Sequence, residues 1–349
     1  MTITVKTRLI LDLISSFYNV KNKGIKVKSY LGYFLLNAIN LSGLKSYMAR
    51  RPTNAYILLT TRCNMTCHDC CFLDILNKKD LGKMDFDLGQ IEKVYNEETF
   101  KSVSRVVLLG GEPTLCKSHV GIIRFFRNEG IVVNLVSNAL KVDVPLLQEY
   151  RDSDLNLIGF SICDKTENGM KYNMDKIEAI YNAAHRGAFD PNRIQLYYHS
   201  TSIEGYELAY DFAKKLKAKH LKFNTTFYSE IFPLSPKNDY SEDPTFNHKY
   251  KKLCERIKRE NSLILEHPSR KSESSQTNET SSLKECRYTT NGITLGPTNS
   301  LSPCCFLSPN ERYGTIEDPS LLLQFKNQFI AGNVPSECDG CIMLGQDEF

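Results

Sequence analysis

A chain of 349 residues with 41% hydrophobic content is long enough for one large core and a smaller second unit. A net charge of +4 is too mild to argue for nucleic acid, and no apolar run reaches the ~18–20 residues of a membrane span. Twelve cysteines with no evident signal peptide (the first apolar run is broken by Asp12) point to a reducing cytoplasm, where clustered cysteines read as metal ligands or catalytic groups.

Residues 1–51 carry nine Lys or Arg against one acidic residue, Asp12. Leu9, Ile10, Leu13, Ile14 and Phe17 recur at helical spacing, and a second helix is expected over 29–44. We read this extension as helices packed on the main fold with a solvated basic turn, in preference to a membrane-surface element. From Pro52 the pattern alternates. Apolar, β-branched runs at 55–59, 103–109, 131–136, 155–162, 193–199 and 221–227 are separated by helical stretches at 87–99, 119–129, 144–151, 175–186 and 206–219. Repeated βα units predict a parallel sheet. Six units fit a span where an eight-unit barrel would need ~250 residues, so an α/β fold built on a partial (β/α)6 TIM-like barrel is expected over 52–265. Its tail, 240–265, reads as one more helix. The stretch 268–282 has almost no apolar residue and reads as a linker. The remainder, within 266–349, is a small Cys-rich α+β segment of short strands and turns, with a hairpin around Pro297-Thr298-Asn299.

The chemistry concentrates after the first strand. Cys63, Cys67 and Cys70 stand in a Cys-x3-Cys-x2-Cys spacing within T-T-R-C-N-M-T-C-H-D-C-C. Three thiolates on one short loop can hold three irons of a cubane cluster and leave the fourth iron open to a small molecule. A zinc site fits poorly, because zinc loops usually pair Cys-x2-Cys with a second pair. This loop resembles the cluster loop of the radical S-adenosylmethionine (SAM) superfamily. The resemblance implies a [4Fe-4S] cluster whose open iron chelates SAM. It also implies reductive cleavage to a 5′-deoxyadenosyl radical and abstraction of a hydrogen atom from a substrate. Asp69 stands where the family often has an aromatic residue over the adenine.

Gly110-Gly111-Glu112-Pro113 closes the second strand, at the end where barrels build active sites. It matches the family's G-G-E-P motif, which implies contact with the amino group of SAM. Ser137 and Asn138 end the third strand and Ser161 the fourth. The resemblance implies SAM ribose and carboxylate contacts there, although Ser and Asn also favour such turns for local reasons. On the fifth strand, Gln195, Tyr197 and His199 share a face. His199, Tyr197 and Asp164 are candidates for substrate contact or a proton acceptor, although satisfied core polar groups or strand-end caps are the preferred reading of each. No general base is assigned.

Cys286, Cys304, Cys338 and Cys341 form a second set, Cys-x17-Cys followed by Cys-x2-Cys. Four thiolates can fully ligate a further [4Fe-4S] cluster, and a zinc-ribbon site uses the same layout. The pattern is similar to the twitch form of the SPASM-type auxiliary domain, with a spacing most like that of the aminocyclitol dehydrogenase type. Cys305 could replace Cys304. Cys71, Cys116, Cys163 and Cys254 read as ordinary thiols.

The resemblance implies an oxidoreductase fed by a flavodoxin- or ferredoxin-type electron donor. The substrate radical would pass an electron to the auxiliary cluster. The expected substrate is a small molecule such as a sugar or aminocyclitol. Peptide modification is the alternative, and a non-enzymatic metal-binding or redox-sensing protein is a further one.

Overall fold

The computed structural model describes residues 49–65, 67, 70, 84–162, 171–200, 202–225, 244–266, 286, 289 and 291–338. The N-terminal helices expected before residue 49, the linker at 268–282, Asp164, Cys71, Cys163 and Cys341 lie outside the described residues.

The six expected strands all form: β1 (Asn54–Leu58), β2 (Arg105–Leu109), β3 (Val132–Ser137), β4 (Leu157–Ile162), β5 (Ile194–Ser200) and β6 (His220–Thr225). Each pairs in parallel with the next. Helices α1 (Leu88–Asn96), α2 (His119–Asn128), α3 (Val144–Asp152), α4 (Lys171–His185) and α5 (Ile203–Lys215) connect β1 through β6, with α6 (Pro244–Glu260) after β6. Local chemistry starts several of them. Asp87 and Gln90 make a reciprocal capping box on α1, Asp143 caps α3, and Ser202 caps α5.

Alternation along the strands decides what each face meets. Ile57, Val106, Leu108, Val133, Leu135, Ile158, Phe160, Leu196, Tyr198, Leu221 and Phe223 are fully buried and belong to one core with the helices. Tyr206 of α5 meets Tyr198 and Phe223 of the sheet, and Tyr250 of α6 meets Phe223, at ring separations of 4.8–6.2 Å, and Tyr206 also meets Phe246 and Tyr250 of α6. Edge-to-face contacts of this kind add to simple burial. The opposite, inner face carries Asn54, Tyr56, Leu58, Arg105, Val107, Leu109, Val132, Asn134 and Val136 on β1–β3, and Gln195, Tyr197, His220 and Lys222 on β5 and β6. The hollow of the partial barrel therefore mixes apolar and polar side chains along β1–β3 and is polar along β5 and β6.

Three features depart from the sequence reading. The end of the helix expected over 240–265 is a strand, β7 (Ile264–Glu266), which adds in parallel to β6. The helix stops at Glu260, and Asn261 turns the chain with φ 47°. The C-terminal segment, expected as α+β but with only strands and turns placed, contains a helix, α7 (Ser320–Ile330). The expected hairpin, β8 (Gly292–Leu295) with β9 (Leu301–Ser302), is present, but it does not stand apart. β8 pairs in parallel with β1, giving one sheet in the order β7-β6-β5-β4-β3-β2-β1-β8-β9. Asn291 secures the junction, its side-chain oxygen accepting from the Thr53 hydroxyl at 2.7 Å.

Candidate active site

Cys63, Cys67 and Cys70 follow the carboxyl end of β1, and all three are half-buried. The Cys70 amide donates to the Cys67 carbonyl at 3.4 Å, and the Met65 amide donates to Cys63 Sγ at 3.4 Å. An amide aimed at sulfur favours the thiolate form that a metal needs. Among the described residues no three His, Cys, Asp or Glu side chains stand close enough to share one metal ion. A cubane spreads its thiolates over separate irons, so the donor set (three soft, half-buried ligands at a strand end) fits a cluster better than a single ion.

The Gly110–Pro113 turn lies against this loop. The Gly111 amide donates to Thr60 O at 2.8 Å and the Glu112 amide to Arg62 O at 2.7 Å. A Cβ on Gly111 would lie 2.0 Å from Arg62 O, and one on Gly110, whose φ is 139°, 2.9 Å from Thr60 O. Glycine is required here because two backbones meet, in addition to any approach of a ligand. Pro113 opens a 3-10 turn, Pro113–Leu115, and is buried.

Glu112 is 1% exposed. Its Oε1 accepts from the Thr114 amide at 3.2 Å, the Thr114 hydroxyl at 2.7 Å and the Ser137 hydroxyl at 2.8 Å, and its Oε2 from the Asn138 amide at 2.8 Å. Glu112, Ser137 and Asn138, assigned separately from the sequence, are thus one bonded unit joining the ends of β2 and β3. Asn138 also reaches the cysteine loop, donating from Nδ2 to Asn64 Oδ1 at 2.8 Å. Ser161, half-buried at the end of β4, presents its carbonyl to Asn173 Nδ2 at 2.6 Å, and the same nitrogen reaches Asn138 O at 3.1 Å. Asn173 is fully buried, and among the described residues its Oδ1 has no hydrogen-bond partner. Sequence reasoning missed Asn173, Thr114 and Asn64. Nothing in the spacing marks Asn64 or Asn173, since their partners come from other strands, and Thr114 is an ordinary side chain two residues after Glu112.

Cross-strand register extends the site sideways. Ser161 stands beside Tyr197, Tyr197 beside Lys222, and Lys222 beside Glu266. The Lys222 ammonium lies 3.7 Å from the Glu266 carboxylate and 5.9 Å from the centre of the Tyr197 ring. Gly159 makes room for that ring, since a Cβ there would lie 2.0 Å from it. Burial raises the Tyr197 hydroxyl well above the ordinary tyrosine range. The side chain of His199 lies outside the described residues.

The second cysteine set is partly assembled. Cys286 and Cys338 are buried in a small cluster with Leu307, Tyr313, Phe325 and Phe329, and Cys304 packs against it. Burial, with Cys305, Cys286 and Cys338 nearby, pushes the Cys304 thiol well up. Cys305 is half-buried. Cys116 and Cys254 sit in the main core, as ordinary thiols do, and burial raises Cys254 to about 11.

No family model matches the chain. A probable GTP 3′,8-cyclase of Pyrococcus abyssi is 30% identical over 125 residues, which cover 36% of this chain and 39% of that protein, so the chain spans about two fifths of this curated relative. Among solved structures, Streptococcus suis SuiB bound to S-adenosylmethionine is similar with a TM-score of 0.58 at 14% identity, over 81% of this chain and 68% of SuiB. SuiB bound to its precursor peptide SuiA gives 0.56 at 13% identity, over 86% and 71%. The enzyme anSMEcpe with bound AdoMet gives 0.57 at 19% identity, over 79% and 82%. The fold of the chain is that of these proteins, two of which are seen with S-adenosylmethionine bound.

Proposed function

We propose that this chain, which carries the radical SAM fold, is a radical SAM enzyme that binds a [4Fe-4S] cluster through Cys63, Cys67 and Cys70. One observation carries the reading. Three half-buried thiols follow β1, and the backbone leading into them is bonded to the Gly110–Glu112 turn. When bound, the cluster and SAM supply one-electron cleavage of the sulfonium and a radical able to take a hydrogen atom from a substrate. The chain's own residues do the rest. Gly110 and Gly111 let the β2 turn lie flush with the cysteine loop. Glu112 braces Ser137 and Asn138, and Asn173 holds the ends of β3 and β4 together, so the rim facing SAM is set before binding. The polar inner face at Tyr197, Lys222 and Glu266 receives a hydrophilic substrate and orients it by hydrogen bonds.

Cys286, Cys304, Cys338 and Cys341 are the proposed ligands of a second [4Fe-4S] cluster within the segment 266–349. It would take an electron from the substrate radical and make the net reaction an oxidation. The packing of Cys304 against Cys286 and Cys338 supports Cys304 as the ligand. A flavodoxin- or ferredoxin-type protein would supply the first electron, in the cytoplasm. Among the described residues no helix is long and apolar enough to cross a membrane. The substrate is a small sugar- or aminocyclitol-like molecule, or a peptide. The second reading is favoured by the likeness to SuiB bound to its precursor peptide.

The test is anaerobic reconstitution with iron and sulfide, then addition of dithionite and SAM. Formation of 5′-deoxyadenosine is expected, and Cys63→Ala should abolish it. About eight irons per chain are expected for two cubanes, and about four for one. Protein that binds metal yet forms no 5′-deoxyadenosine would instead be a metal-binding or redox-sensing protein.

A further inference from the structure

The side chain just before Cys63 has no part in the reading above, yet it joins three segments. Residues 59–62 run between two others at the end of β1. On one side, Leu59 N donates to Leu109 O at 2.7 Å, and Gly111 and Glu112 return bonds to Thr60 O and Arg62 O. On the other, Phe86 N donates to Leu59 O and Thr61 N to Met84 O, both at 2.9 Å, while Met84 N donates to the Thr61 hydroxyl at 3.0 Å. Asp85 sits at the centre of this second seam. Its Oδ1 accepts from the Thr60 hydroxyl at 2.6 Å and from Arg62 Nε at 3.0 Å, and its Oδ2 accepts from Arg62 Nη2. The same Nη2 donates to Leu115 O, in the turn behind Glu112. One planar guanidinium therefore spans the entry to the cysteine loop, its exit and the Gly-Gly-Glu-Pro turn. A lysine has neither the fork nor the reach to do this.

We propose that Arg62 and Asp85 are positioning residues for the three-cysteine loop. Their pair fixes both ends of the stretch between them, and so sets Cys63 against the Gly110–Glu112 backbone before any metal arrives. Ligands held in this way lose less freedom on closing round a metal, which slows its escape. The proposal rests on the reading that Cys63, Cys67 and Cys70 bind a cluster.

The test compares full-length wild type with Arg62→Lys, Arg62→Ala, Asp85→Ala and the double alanine variant, all reconstituted anaerobically. Three quantities are read: the rate of iron loss to a chelator, in the phase absent from Cys63→Ala protein; the SAM concentration that half-converts the electron paramagnetic resonance signal of the reduced protein; and the melting temperature without metal. Each single variant is expected to lose iron about tenfold faster and to need about tenfold more SAM. Arg62→Lys should do no better than Arg62→Ala, and the double variant no worse than the worse single. Asp85→Asn keeps the volume and one acceptor, so it preserves the comparison, with a smaller change, if an alanine variant fails to fold. Variants that melt earlier but hold iron and answer SAM like wild type would reduce the pair to a structural role and overturn the proposal. Additive losses in the double variant would overturn it as well. Wild-type protein that takes up no iron at this loop would sink the cluster reading itself, and the positioning role with it.

Discussion

Gly111 and Glu112 show how little slack the site has. A methyl group on Gly111 would meet backbone 2.0 Å away, and backbone cannot rotate aside as a side chain can. Gly111→Ala is expected to destabilise the protein by about 1–3 kcal/mol and to lower iron retention, measured by urea unfolding and by iron content. Unchanged retention would mean that the two turns can separate without consequence. Glu112→Gln keeps the shape but turns one acceptor oxygen into a donor facing donors. A cost of about 1–3 kcal/mol is expected, together with weaker SAM binding, since Ser137 and Asn138 lose their anchor. Equilibrium dialysis with SAM would check it. The motif residues themselves were legible in the sequence, because strand ends and cysteine spacing are local signals. Their mutual bonding was not, because it joins residues 25 and 26 positions apart. Arg62 and Asp85 were invisible for the same reason, being 23 positions apart.

Among the elements, α7 carries the least expected residue. Lys326 is fully buried, and its ammonium donates to Gly292 O at 2.8 Å and Ala49 O at 3.4 Å. No carboxylate is bonded to it among the described residues. Burial pushes it down from the ordinary 10.5 to about 7. A base with a lowered folded pKa binds fewer protons folded than unfolded. Stability should therefore rise with pH between about 7 and 10.5, and below pH 7 the full penalty, on the order of 5 kcal/mol, applies. Lys326→Met removes that penalty but orphans two carbonyls at roughly 1 kcal/mol each. A net gain of about 1–3 kcal/mol at pH 7 and a flatter profile above it are expected from urea midpoints across pH. An unchanged slope would show that the ammonium reaches water. A lysine in S-L-L-L-Q-F-K-N-Q-F-I gives no sign of this burial, since lysine is assigned to solvent by default. β7 was missed because Ile264 and Leu265 continue the apolar pattern of α6, and only the turn at Asn261 separates them. The strands β1–β6, by contrast, were readable from their β-branched runs, because tertiary packing agreed with local preference.

For the whole molecule, the decisive pairing is β8 on β1. Ile293, Leu295, Leu301, Ile316 and Leu322 share the core of the barrel, so the segment after residue 291 is part of that core. A single heat-absorption peak is expected in calorimetry of the full chain. A chain cut at 285 loses β8, β9 and α7, bares the edge of β1 and should lose most of its soluble yield. Two well-separated peaks would contradict this.

The direction of β8 has its own consequence. Gly292 begins that strand level with Asn54, whereas Cys63 comes after the far end of β1. Cys304 follows β9, which runs back toward the level of Gly292. The strand that leads into Cys63 and the hairpin that leads into Cys304 are thus laced into one sheet through β8, so a change that loosens β8 reaches both cysteine sets at once.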